Sequence, residues 1–447
     1  MRKPVELTVD KVIKGGLGLG RLADGQVVMV PRVLPGERVR IYLRRKHKQY
    51  QEADLLDVLK PSEQRVPPAC PVYETCGGCD FQHATYDEQL RLKNGILAET
   101  LCRAGLCREE ELAFLLGVPL ASPKTSGYRQ RIRLQVAQGV IGYFGRQSHS
   151  LTPVFRCPLA GEAINSVLAA LAANRQFQSL LPMASAIELL ENPAHNSVIL
   201  LIHYTRKTRP AEHQGAKLLC QALPLLEAVL FSVAGQAKGP CFTDHGEIQP
   251  NELRVEFSLP AEVCGQPLSL ALEPGGFCQV NFGQNENCIA LLLAWVREMQ
   301  PGKVLDLFCG MGNFSLPLAI QGWEVTGMDM QRSTIRSAVR NAERAGLADR
   351  CRFSQESAAK AARRLLAEKA AFDLLLLDPP RSGCAELIPL LPGLAARQII
   401  YISCDPATLA RDLLGLTQAG YRLAEVRLVD MFPQTAHQET MVRLARE

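Results

Sequence analysis

The feature that most constrains the fold is a regular alternation of short apolar strands and helices that begins near residue 286. Strands are predicted at K-V-L-D-L-F, V-T-G-M-D, L-L-L-L-D and Q-I-I-Y-I-S, and helical patterns separate most of them. Such alternation is typical of a doubly wound, largely parallel sheet with helices on both faces. Because ligands of these sheets bind beyond the carboxyl ends of the strands, the polar residues that follow each strand are the candidate site.

Glycines and carboxylates occupy these strand ends. Gly310 and Gly312 lie in the first strand-to-helix turn, where glycine lets the backbone approach a ligand closely. Ser315 stands where a dinucleotide fingerprint needs a third glycine, which argues against NAD. Asp329 ends the second strand, where a carboxylate can accept both hydroxyls of a ribose, and Asp378 ends a later strand. The ordered set predicts a site for a nucleoside cofactor.

The order D-x-F-x-G-x-G, acid, D-P-P resembles that of the class I S-adenosylmethionine methyltransferases. In that superfamily, D-P-P followed by an aromatic residue marks methylation of exocyclic amines. Arg381 follows Pro380 in this chain. The resemblance therefore disfavours an amine as the methyl acceptor.

Cys404 follows the last predicted strand, in Y-I-S-C-D-P-A-T-L-A-R-D. A thiolate at this edge of the sheet could activate a pyrimidine, because C5 becomes nucleophilic enough to take a methyl group only after a thiolate has added to C6. The residues after Cys404 predict a helix start, whose partial positive charge favours the thiolate. Free cysteines are also common core residues, so core packing is the alternative.

Four motifs in order extend the resemblance over the whole chain. G-G-F-C-Q-V-N, L-D-P-P-R-S-G, the Cys404 stretch and D-M-F-P-Q-T-A-H-Q-E together resemble the RNA uridine C5-methyltransferases. The resemblance implies that Cys404 is the nucleophile, that Glu439 is the base that removes the C5 proton, and that Asp378 helps to orient the uracil. The positions that match the family's S-adenosylmethionine site are Gln279, Phe308, Gly310, Asn313, Asp329 and Asp378.

The sequence departs from the family pattern at two positions. Asp329 stands where the family commonly has glutamate, and the shorter carboxylate is still expected to reach a ribose. S-C-D-P replaces the common S-C-N-P, which adds Asp405 beside the cysteine. Its negative charge opposes thiolate formation unless Asp405 is turned away or paired.

A second group of cysteines has metal-ligand spacing. Cys70, Cys76 and Cys79 lie in P-A-C-P-V-Y-E-T-C-G-G-C-D, and Cys157 in R-C-P-L is the best candidate for a fourth ligand. Four thiolates suit zinc or an iron–sulfur cluster, and the spacing does not decide between them. Unliganded loop cysteines are the other reading. In the family, C-x5-C-x2-C with a later C-P-L resembles the ligands of a [4Fe-4S] cluster, which implies a structural or RNA-folding role.

The N-terminal segment predicts a small antiparallel barrel, because residues 5 to 60 alternate short β-rich runs with turn signals. Residues 1 to 60 hold 13 Lys or Arg against 7 Asp or Glu, so the net charge of +5 comes from this segment. The basic cluster at 44–48, beside Tyr42 and Tyr50, offers charge to phosphates and rings to bases, although a solvated loop would look the same. The glycine run Gly15–Gly20 lacks the Gly-Lys-Ser/Thr ending of a phosphate loop.

The predicted fold class is a multidomain α/β protein, because 447 residues exceed what one core usually supports. Residues 1–62 are predicted to form an OB-like β-barrel, which resembles the RNA-binding TRAM domain of the family. Residues 63–275 are predicted to form a central α+β domain with the iron–sulfur site. Residues 276–447 are predicted to form a Rossmann-like, class I methyltransferase domain. The basic stretch at 124–133 is a further candidate for RNA contact.

The expected activity is methyl transfer from S-adenosylmethionine to C5 of a uridine in structured RNA, through a covalent adduct with the cysteine. The barrel and the cysteine motif resemble the 23S ribosomal RNA branch of the family. The tRNA T-loop branch typically lacks both and is the alternative substrate class. A non-catalytic RNA-binding or folding factor and a redox iron–sulfur protein are alternatives from other classes.

The sequence also bears on location. It holds no uninterrupted apolar stretch of about 18 residues, and its N-terminus lacks a signal-peptide core. A cytoplasmic protein that does not engage membranes is expected, with its fifteen cysteines reduced. A monomer is expected, and the pattern does not indicate which uridine is modified.

Overall fold

The computed structural model describes residues 4–233 and 239–446. Its first unit is a closed five-stranded barrel in the order β1-β2-β3-β5-β4. The strands are β1 Val5–Ile13, β2 Leu17–Arg21, β3 Val27–Pro31, β4 Arg38–Lys46 and β5 Gln51–Lys60. Alternate apolar residues of these strands fill the barrel. The prediction of a wholly antiparallel barrel is wrong for one pair, because β3 and β5 run parallel where the barrel closes.

The segment after the barrel packs against the C-terminal part of the chain. It holds α1 Tyr86–Arg103 and α2 Leu112–Leu115. Acidic residues in the first turn favour the start of α1, and Gly105 at φ +74° follows its end. Leu97 and Leu101 of α1 are fully buried in the same apolar cluster as Leu305 and Val426. Part of the predicted central domain therefore packs on the C-terminal sheet, and the boundaries 1–62, 63–275 and 276–447 stay a prediction.

An eight-stranded sheet occupies the middle of the chain, in the order β13-β12-β11-β10-β9-β6-β7-β8. Its elements are β6 Arg131–Ala137, β7 Val140–Phe144, β8 Leu151–Pro153, α3 Glu162–Ala172, α4 Arg175–Leu180, β9 Ala184–Asn192, β10 Ser197–Tyr204, α5 Pro210–Ala222, β11 Leu226–Val233, β12 Cys241–Phe242 and β13 Glu247–Ile248. A two-stranded hairpin follows, built from β14 Val255–Leu259, α6 Ala261–Cys264 and β15 Leu268–Leu272. Its apolar side chains share one core with the C-terminal sheet.

The C-terminal sheet has seven strands in the order β18-β17-β16-β19-β20-β22-β21. Its elements are α7 Phe282–Val296, β16 Lys303–Asp306, α8 Ser315–Ile320, β17 Glu324–Asp329, α9 Arg332–Arg344, β18 Cys351–Gln355, α10 Ala358–Ala367, β19 Leu374–Leu377, β20 Gln398–Ser403, α11 Pro406–Gln418, β21 Arg422–Val429 and β22 Glu439–Ala445. The first five strands are parallel, and β22 runs antiparallel to both neighbours. The strand order reverses between β16 and β19, where a ligand crevice is expected.

The helix α7 begins earlier than the sequence predicts. The apolar pattern of the sequence predicts a helix through Leu291 to Met299, whereas the helix spans Phe282–Val296. Asn281 caps it by accepting a hydrogen bond from the backbone N–H of Gln284. The first two turns of α7 hold Asn285 and Asn287 and have weak apolar periodicity. The sequence pattern therefore indicates only the second half of the helix.

Within the described part of the chain, no helix combines the length and apolar character needed to cross a lipid bilayer.

Candidate active site

Strand register brings Cys404 and Glu439 together. Ser403, the last residue of β20, pairs with Thr440 of β22 in an antiparallel ladder. Cys404 is the residue after Ser403, and Glu439 is the residue before Thr440, so both lie one position beyond this pair. Residues that face each other in such a ladder have Cα atoms about 4.5–5.5 Å apart. The pairing therefore places a thiol and a carboxyl side by side at the carboxyl edge of the parallel strands.

Cys404 is half-buried in a crowded electrostatic setting. Burial raises the pKa of its thiol, and the neighbouring carboxyls of Glu439 and Asp378 raise it further. Arg381, which follows the D-P-P turn, acts in the opposite direction by its charge and by a hydrogen bond to the sulfur. The helix start that follows Cys404 does not bring the pKa of the thiol below its ordinary value, because burial and the two acids outweigh it.

The two acids near Cys404 are themselves protonated more readily than ordinary carboxyls. Burial raises the pKa of Glu439 well above its usual value, and the charge of Asp378 adds to this effect. Loss of solvent raises the pKa of Asp378 to about 7, with a contribution from Asp306. A carboxylate with a raised pKa is a stronger base once it has lost its proton.

Asp405 does not face the thiol as a free charge. Its Oδ1 accepts hydrogen bonds from the backbone N–H groups of Ala407 and Thr408, each at 3.0 Å, and so caps α11. Its Oδ2 lies 2.5 Å from Nζ of Lys14, which belongs to the turn between β1 and β2. Burial alone raises the pKa of Asp405, but these hydrogen bonds outweigh it and hold the pKa below its usual value. The Asp405 carboxylate, by which S-C-D-P differs from S-C-N-P, is therefore paired with Lys14.

A buried aspartate fixes the loop that carries Arg381. Oδ2 of Asp412, on α11, accepts hydrogen bonds from Tyr401 and from the backbone N–H of Cys384, both at 2.7 Å. Arg411 donates to the carbonyl oxygen of Ser382 at 2.9 Å. The last two residues of the Y-I-S-C-D-P-A-T-L-A-R-D stretch thus tie strand, helix and D-P-P-R-S-G loop into one unit.

The segment 431–438, which leads into Glu439, is held from several sides. Nζ of Lys93, on α1, lies 2.6 Å from Oδ1 of Asp430 and donates to the carbonyl oxygen of Phe432. Both side chains of this ion pair are fully buried. Tyr128 donates its hydroxyl to the carbonyl oxygen of Pro433 at 2.9 Å. These contacts fix the backbone immediately before the candidate base.

We expect Lys93→Met to lower the free energy of unfolding of the C-terminal core by about 3–5 kcal/mol, because it leaves the Asp430 carboxylate buried without its cation. The shift is measured from the urea midpoint, followed by the fluorescence of the two tryptophans, which both lie in that core. The double variant Lys93→Met with Asp430→Leu is the control, since it removes both charges. An unchanged midpoint in the single variant contradicts the prediction.

The cofactor-type residues meet at the ends of β16 and β17. The backbone N–H of Gly310, at φ +53°, donates to Oδ2 of Asp329 at 3.2 Å. The other oxygen of Asp329 accepts from the backbone of Gln331 and from the hydroxyl of Thr334. A Cβ on Gly310 would meet no atom within 4 Å, so the turn faces open space that a ligand can enter. Glycine turn and carboxylate therefore form one open edge, as the sequence predicts.

Three further candidate residues occupy distinct settings. Asn313 forms a reciprocal amide pair with Asn285 of α7, with both hydrogen bonds at 2.8 Å. These two hydrogen bonds use half of the hydrogen-bonding capacity of the Asn313 side-chain amide. Phe308 is half-buried just after β16, and Gln279 is 9% exposed in the loop before α7. Sequence reasoning missed Asn285, because an asparagine inside a helix carries no motif of its own.

Asp306 is a further buried acid that the sequence reasoning left without a role. Its carboxyl accepts hydrogen bonds from Ser315 at 2.7 Å and from the backbone N–H of Phe308 at 3.2 Å. Burial raises the pKa of Asp306 to about 7. The Asp306 carboxyl thus holds the residues on both sides of the glycine turn. The sequence signal for Asp306 was its place as the first residue of the D-x-F-x-G-x-G pattern.

The four predicted ligand cysteines line one cavity. Cys70, Cys76, Cys79 and Cys157 surround it together with the side chains of Arg129 and Tyr143. The backbone N–H of Gly78 donates to the sulfur of Cys76 at 3.3 Å. Across residues 4–233 and 239–446, no group of three or more His, Cys, Asp or Glu side chains is arranged to hold a metal ion. The structure therefore gathers the four thiols without a closed single-ion site.

The basic stretch at 124–133 is not a free RNA surface. Arg131 and Arg133 both pair with Glu188, a buried acid on β9. The guanidinium of Arg129 lies 5.8 Å from the ring centroids of both Tyr128 and Phe432. Three of its four cations thus interact with protein groups, but the Arg133 side chain is 53% exposed, so RNA contact by this stretch stays a prediction.

A largely parallel sheet with a glycine turn after β16 and acids at the ends of β17 and β19 defines an S-adenosylmethionine-dependent methyltransferase of the Rossmann-like class. Residues 120–447 match the tRNA (Uracil-5-)-methyltransferase family, and residues 2–56 match the TRAM domain. The chain belongs to this family of methyltransferases.

Two full-length relatives and one solved structure illustrate the match. The 23S rRNA (uracil(1939)-C(5))-methyltransferase RlmD of Aeromonas salmonicida is 33% identical, over 98% of this chain and 95% of its own. An uncharacterized RNA methyltransferase of Thermosynechococcus vestitus is 34% identical, over 98% and 97%. The tRNA (uracil-54, C5)-methyltransferase of Pyrococcus abyssi, solved with S-adenosyl-L-homocysteine, has a TM-score of 0.71 at 23% identity, over 98% and 100%. This last likeness supports the fold.

Proposed function

We propose that the protein transfers a methyl group from S-adenosylmethionine to C5 of one uridine in 23S ribosomal RNA. The observation that carries the proposal is the proximity of Cys404, Glu439 and Asp378, at the same sheet edge as the glycine turn. The substrate class rests on relatives named for 23S rRNA that match nearly the whole chain. A ribosomal RNA substrate implies the predicted cytoplasmic location, and the protein acts as a monomer.

Each side chain has a role in a two-stage covalent reaction. The Cys404 thiolate adds to C6 of the uracil, which makes C5 nucleophilic, and Arg381 stabilises the thiolate before it adds. When bound, S-adenosylmethionine supplies the electrophilic methyl group. The Glu439 carboxylate then removes the C5 proton, and the electron pair of that C–H bond restores the C5–C6 double bond as the thiolate leaves C6. Asp378 orients the uracil through its polar edge.

The residues proposed to hold S-adenosylmethionine are Gln279, Phe308, Gly310, Asn313, Asp329 and Asp378. The open space beside Gly310 and the strand-end position of Asp329 support a nucleoside in this place. The target base must leave its stack to reach Cys404, which suits a loop or an unstacked region of RNA. The barrel, with its basic strand end, is proposed to bind the surrounding RNA.

The four-cysteine cavity is proposed to hold a [4Fe-4S] cluster, bound by Cys70, Cys76, Cys79 and Cys157. Two features support the fit. All four thiols reach one cavity, and a backbone N–H donates to the Cys76 sulfur, as is common for thiolates of iron–sulfur sites. A Cβ at Gly77 would lie 2.7 Å from the carbonyl oxygen of Phe144, so the tight approach of the loop needs glycine there. Methyl transfer itself requires no electron, so the role proposed for the cluster is structural or in RNA folding.

The proposed substrate is tested with 23S rRNA and tRNA that both contain 5-fluorouracil in place of uracil. Fluorine at C5 cannot be removed as a proton, so the enzyme is expected to stay joined to its target uridine after methyl transfer. A denaturant-resistant adduct between Cys404 and a ribosomal uridine supports the proposal. An adduct with tRNA alone would place the protein in the tRNA class, and an adduct with neither would remove the nucleophile assignment.

Methylation is expected to become faster as the pH rises. The pKa values of Cys404 and Glu439 both lie above their ordinary values, and both groups act deprotonated. Acidification therefore removes the active forms, and kcat/KM is expected to rise about tenfold per unit while one required group is still protonated. The measurement is kcat/KM between about pH 6 and 9, with RNA affinity measured in parallel as the control. A flat profile contradicts the assignment.

Loss of one proposed ligand is expected to abolish cluster loading. Purified, anaerobically prepared protein is expected to contain about four iron atoms per chain and to absorb visible light through thiolate-to-iron charge transfer. Cys157→Ser is expected to lose most of this iron, whereas Cys102→Ser, a half-exposed cysteine of α1, keeps it. Stoichiometric zinc in place of iron would show that the cavity is a zinc site.

A further inference from the structure

The glycine run G-G-L-G-L-G, which is not a phosphate loop, begins in the turn between β1 and β2 and continues into β2. This turn, residues 14–16, touches the segments that carry both candidate catalytic residues. Lys14 pairs with Asp405, the neighbour of Cys404, at 2.5 Å. A Cβ on Gly16 would lie 3.2 Å from Cβ of Ala436, three residues before Glu439. An RNA-binding barrel that only captured substrate would need neither contact.

Gly16 also meets the loop of the predicted ligand cysteines. Its added Cβ would lie 2.9 Å from Cβ of Asp80, which follows Cys79. Asp80 in turn holds the segment before Glu439. The backbone N–H groups of Asp80 and Phe81 donate to the carbonyl oxygen of Gln434, and the Asp80 carboxylate accepts from the N–H of Ala436 at 2.8 Å. The turn therefore packs at the contact between the loop that holds Cys70, Cys76 and Cys79 and the segment 431–438.

We propose that the turn at residues 14–16 is a positioning element of the active site. Lys14 neutralises and holds Asp405 beside Cys404, and Gly16 lets the segment leading to Glu439 pack against the barrel. The inference rests on the proposed roles of Cys404 and Glu439. It assigns the barrel a part in assembling the catalytic centre, in addition to binding RNA.

The charge balance around the thiol explains why Lys14 is needed. Two acids, Asp378 on the loop after β19 and Glu439 on β22, already oppose ionisation of the thiol, and Arg381 favours it. Asp405 adds a third acid at the start of α11. Without Lys14, the remaining donors to its carboxylate among the described residues are the N–H groups of Ala407 and Thr408 and the Thr408 hydroxyl. The lysine thus offsets the charge of an acid that stands where the resembled family commonly has asparagine.

The first test follows the thiol itself, without RNA or methyl donor. The rate at which iodoacetamide alkylates Cys404 is measured against pH, by mass spectrometry of the Cys404 peptide. Lys14→Met is expected to slow alkylation about three- to tenfold near pH 7.5, because an uncompensated carboxylate disfavours the thiolate. Lys14→Met combined with Asp405→Asn is expected to restore the rate, since asparagine can still cap α11.

Lys11→Met is the matched control. Lys11 lies on β1, which leads into the turn, and joins the barrel to Glu99 of α1, so its loss removes another contact of the barrel but no partner of Asp405. It is expected to leave the alkylation rate of Cys404 unchanged. An unchanged rate in Lys14→Met overturns the inference, and so does a slow rate that Asp405→Asn fails to restore.

The second test compares two glycines of the same turn. Gly15 and Gly16 both have positive φ, at +87° and +75°, so alanine strains the backbone at either position. Only Gly16→Ala would also press on Asp80 and Ala436, because a Cβ on Gly15 meets nothing within 4 Å. We expect kcat for methylation to fall at least about tenfold further in Gly16→Ala than in Gly15→Ala, at equal folded fraction. Equal losses overturn the packing role.

The two proposals fail in different ways. If Cys404 alkylation depends on Lys14 but no uridine is ever methylated, the proposed function is wrong and the link between barrel and thiol stands. If ribosomal uridine is methylated at the same rate by the wild-type protein and by Lys14→Met, with unchanged thiol reactivity, the link alone is wrong.

Discussion

Cys404→Ser is expected to lower kcat for uridine methylation by roughly 10⁴- to 10⁶-fold, the usual cost of removing a catalytic nucleophile. A serine hydroxyl at this position is too weakly acidic to add to C6, so C5 never becomes nucleophilic. RNA binding is expected to be retained, because the side chain lies at the end of β20, away from the barrel's basic strand end. The measurement pairs single-turnover methyl transfer with RNA affinity.

The control for this variant is Cys102→Ser, which replaces a half-exposed cysteine on α1. It is expected to keep wild-type methylation. A Cys404→Ser protein that loses RNA affinity along with activity would favour the alternative of a non-catalytic RNA-binding factor. A variant that keeps substantial methylation would return Cys404 to a packing role.

Glu439→Gln is expected to stop the reaction after methyl transfer. The amide keeps the shape of the side chain but cannot accept the C5 proton, so the methylated uridine stays attached to Cys404. Turnover is expected to fall by about 10²- to 10⁴-fold, the typical contribution of a general base. The distinguishing measurement is a denaturant-resistant protein–RNA complex that carries a labelled methyl group.

Glu343→Gln, on the exposed face of α9, is the matched control and is expected to turn over normally without accumulating the complex. If Glu439→Gln loses activity and the trapped RNA carries no methyl group, then Glu439 acts before methyl transfer. The base assignment would be wrong in that case.

The strands β16, β17, β19 and β20 were predictable because each has a short apolar run with a polar residue at or just after its end, whereas β18, which reads C-R-F-S-Q, and the antiparallel strands β21 and β22 carry no such signal. The short apolar run L-L-L-L-D is typical of a strand buried on both faces, and G-M-G after β16 is typical of a turn. The barrel's parallel closure by β3 and β5 was not predictable, since local patterns give strand content but not which edges meet. The N-terminal half of α7 was missed because its asparagines mask the apolar period.

The candidate site was predictable to a different degree at each residue. Cys404 and Asp378 stand at strand ends that the pattern marks. Glu439 was indicated by family resemblance alone, because its partner depends on the register of β22 and no local signal encodes register. The ion pair between Lys14 and Asp405 joins residues that are 391 positions apart in the sequence. The sequence indicated that Asp405 must be turned away or paired, but it did not indicate the partner. Long-range pairs of this kind are set by packing of whole units.

The place of β22 between β20 and β21 has a consequence for biosynthesis. β22 follows both neighbours along the chain, yet it lies between them and hydrogen-bonds to each. As the chain leaves the ribosome, β20 and β21 emerge first and cannot pair with each other in the final order. The gap is filled only when the strand that begins with Glu439 has emerged. A nascent chain therefore displays Cys404 before Glu439 has been made, and the two proposed catalytic residues meet only after β22 has emerged.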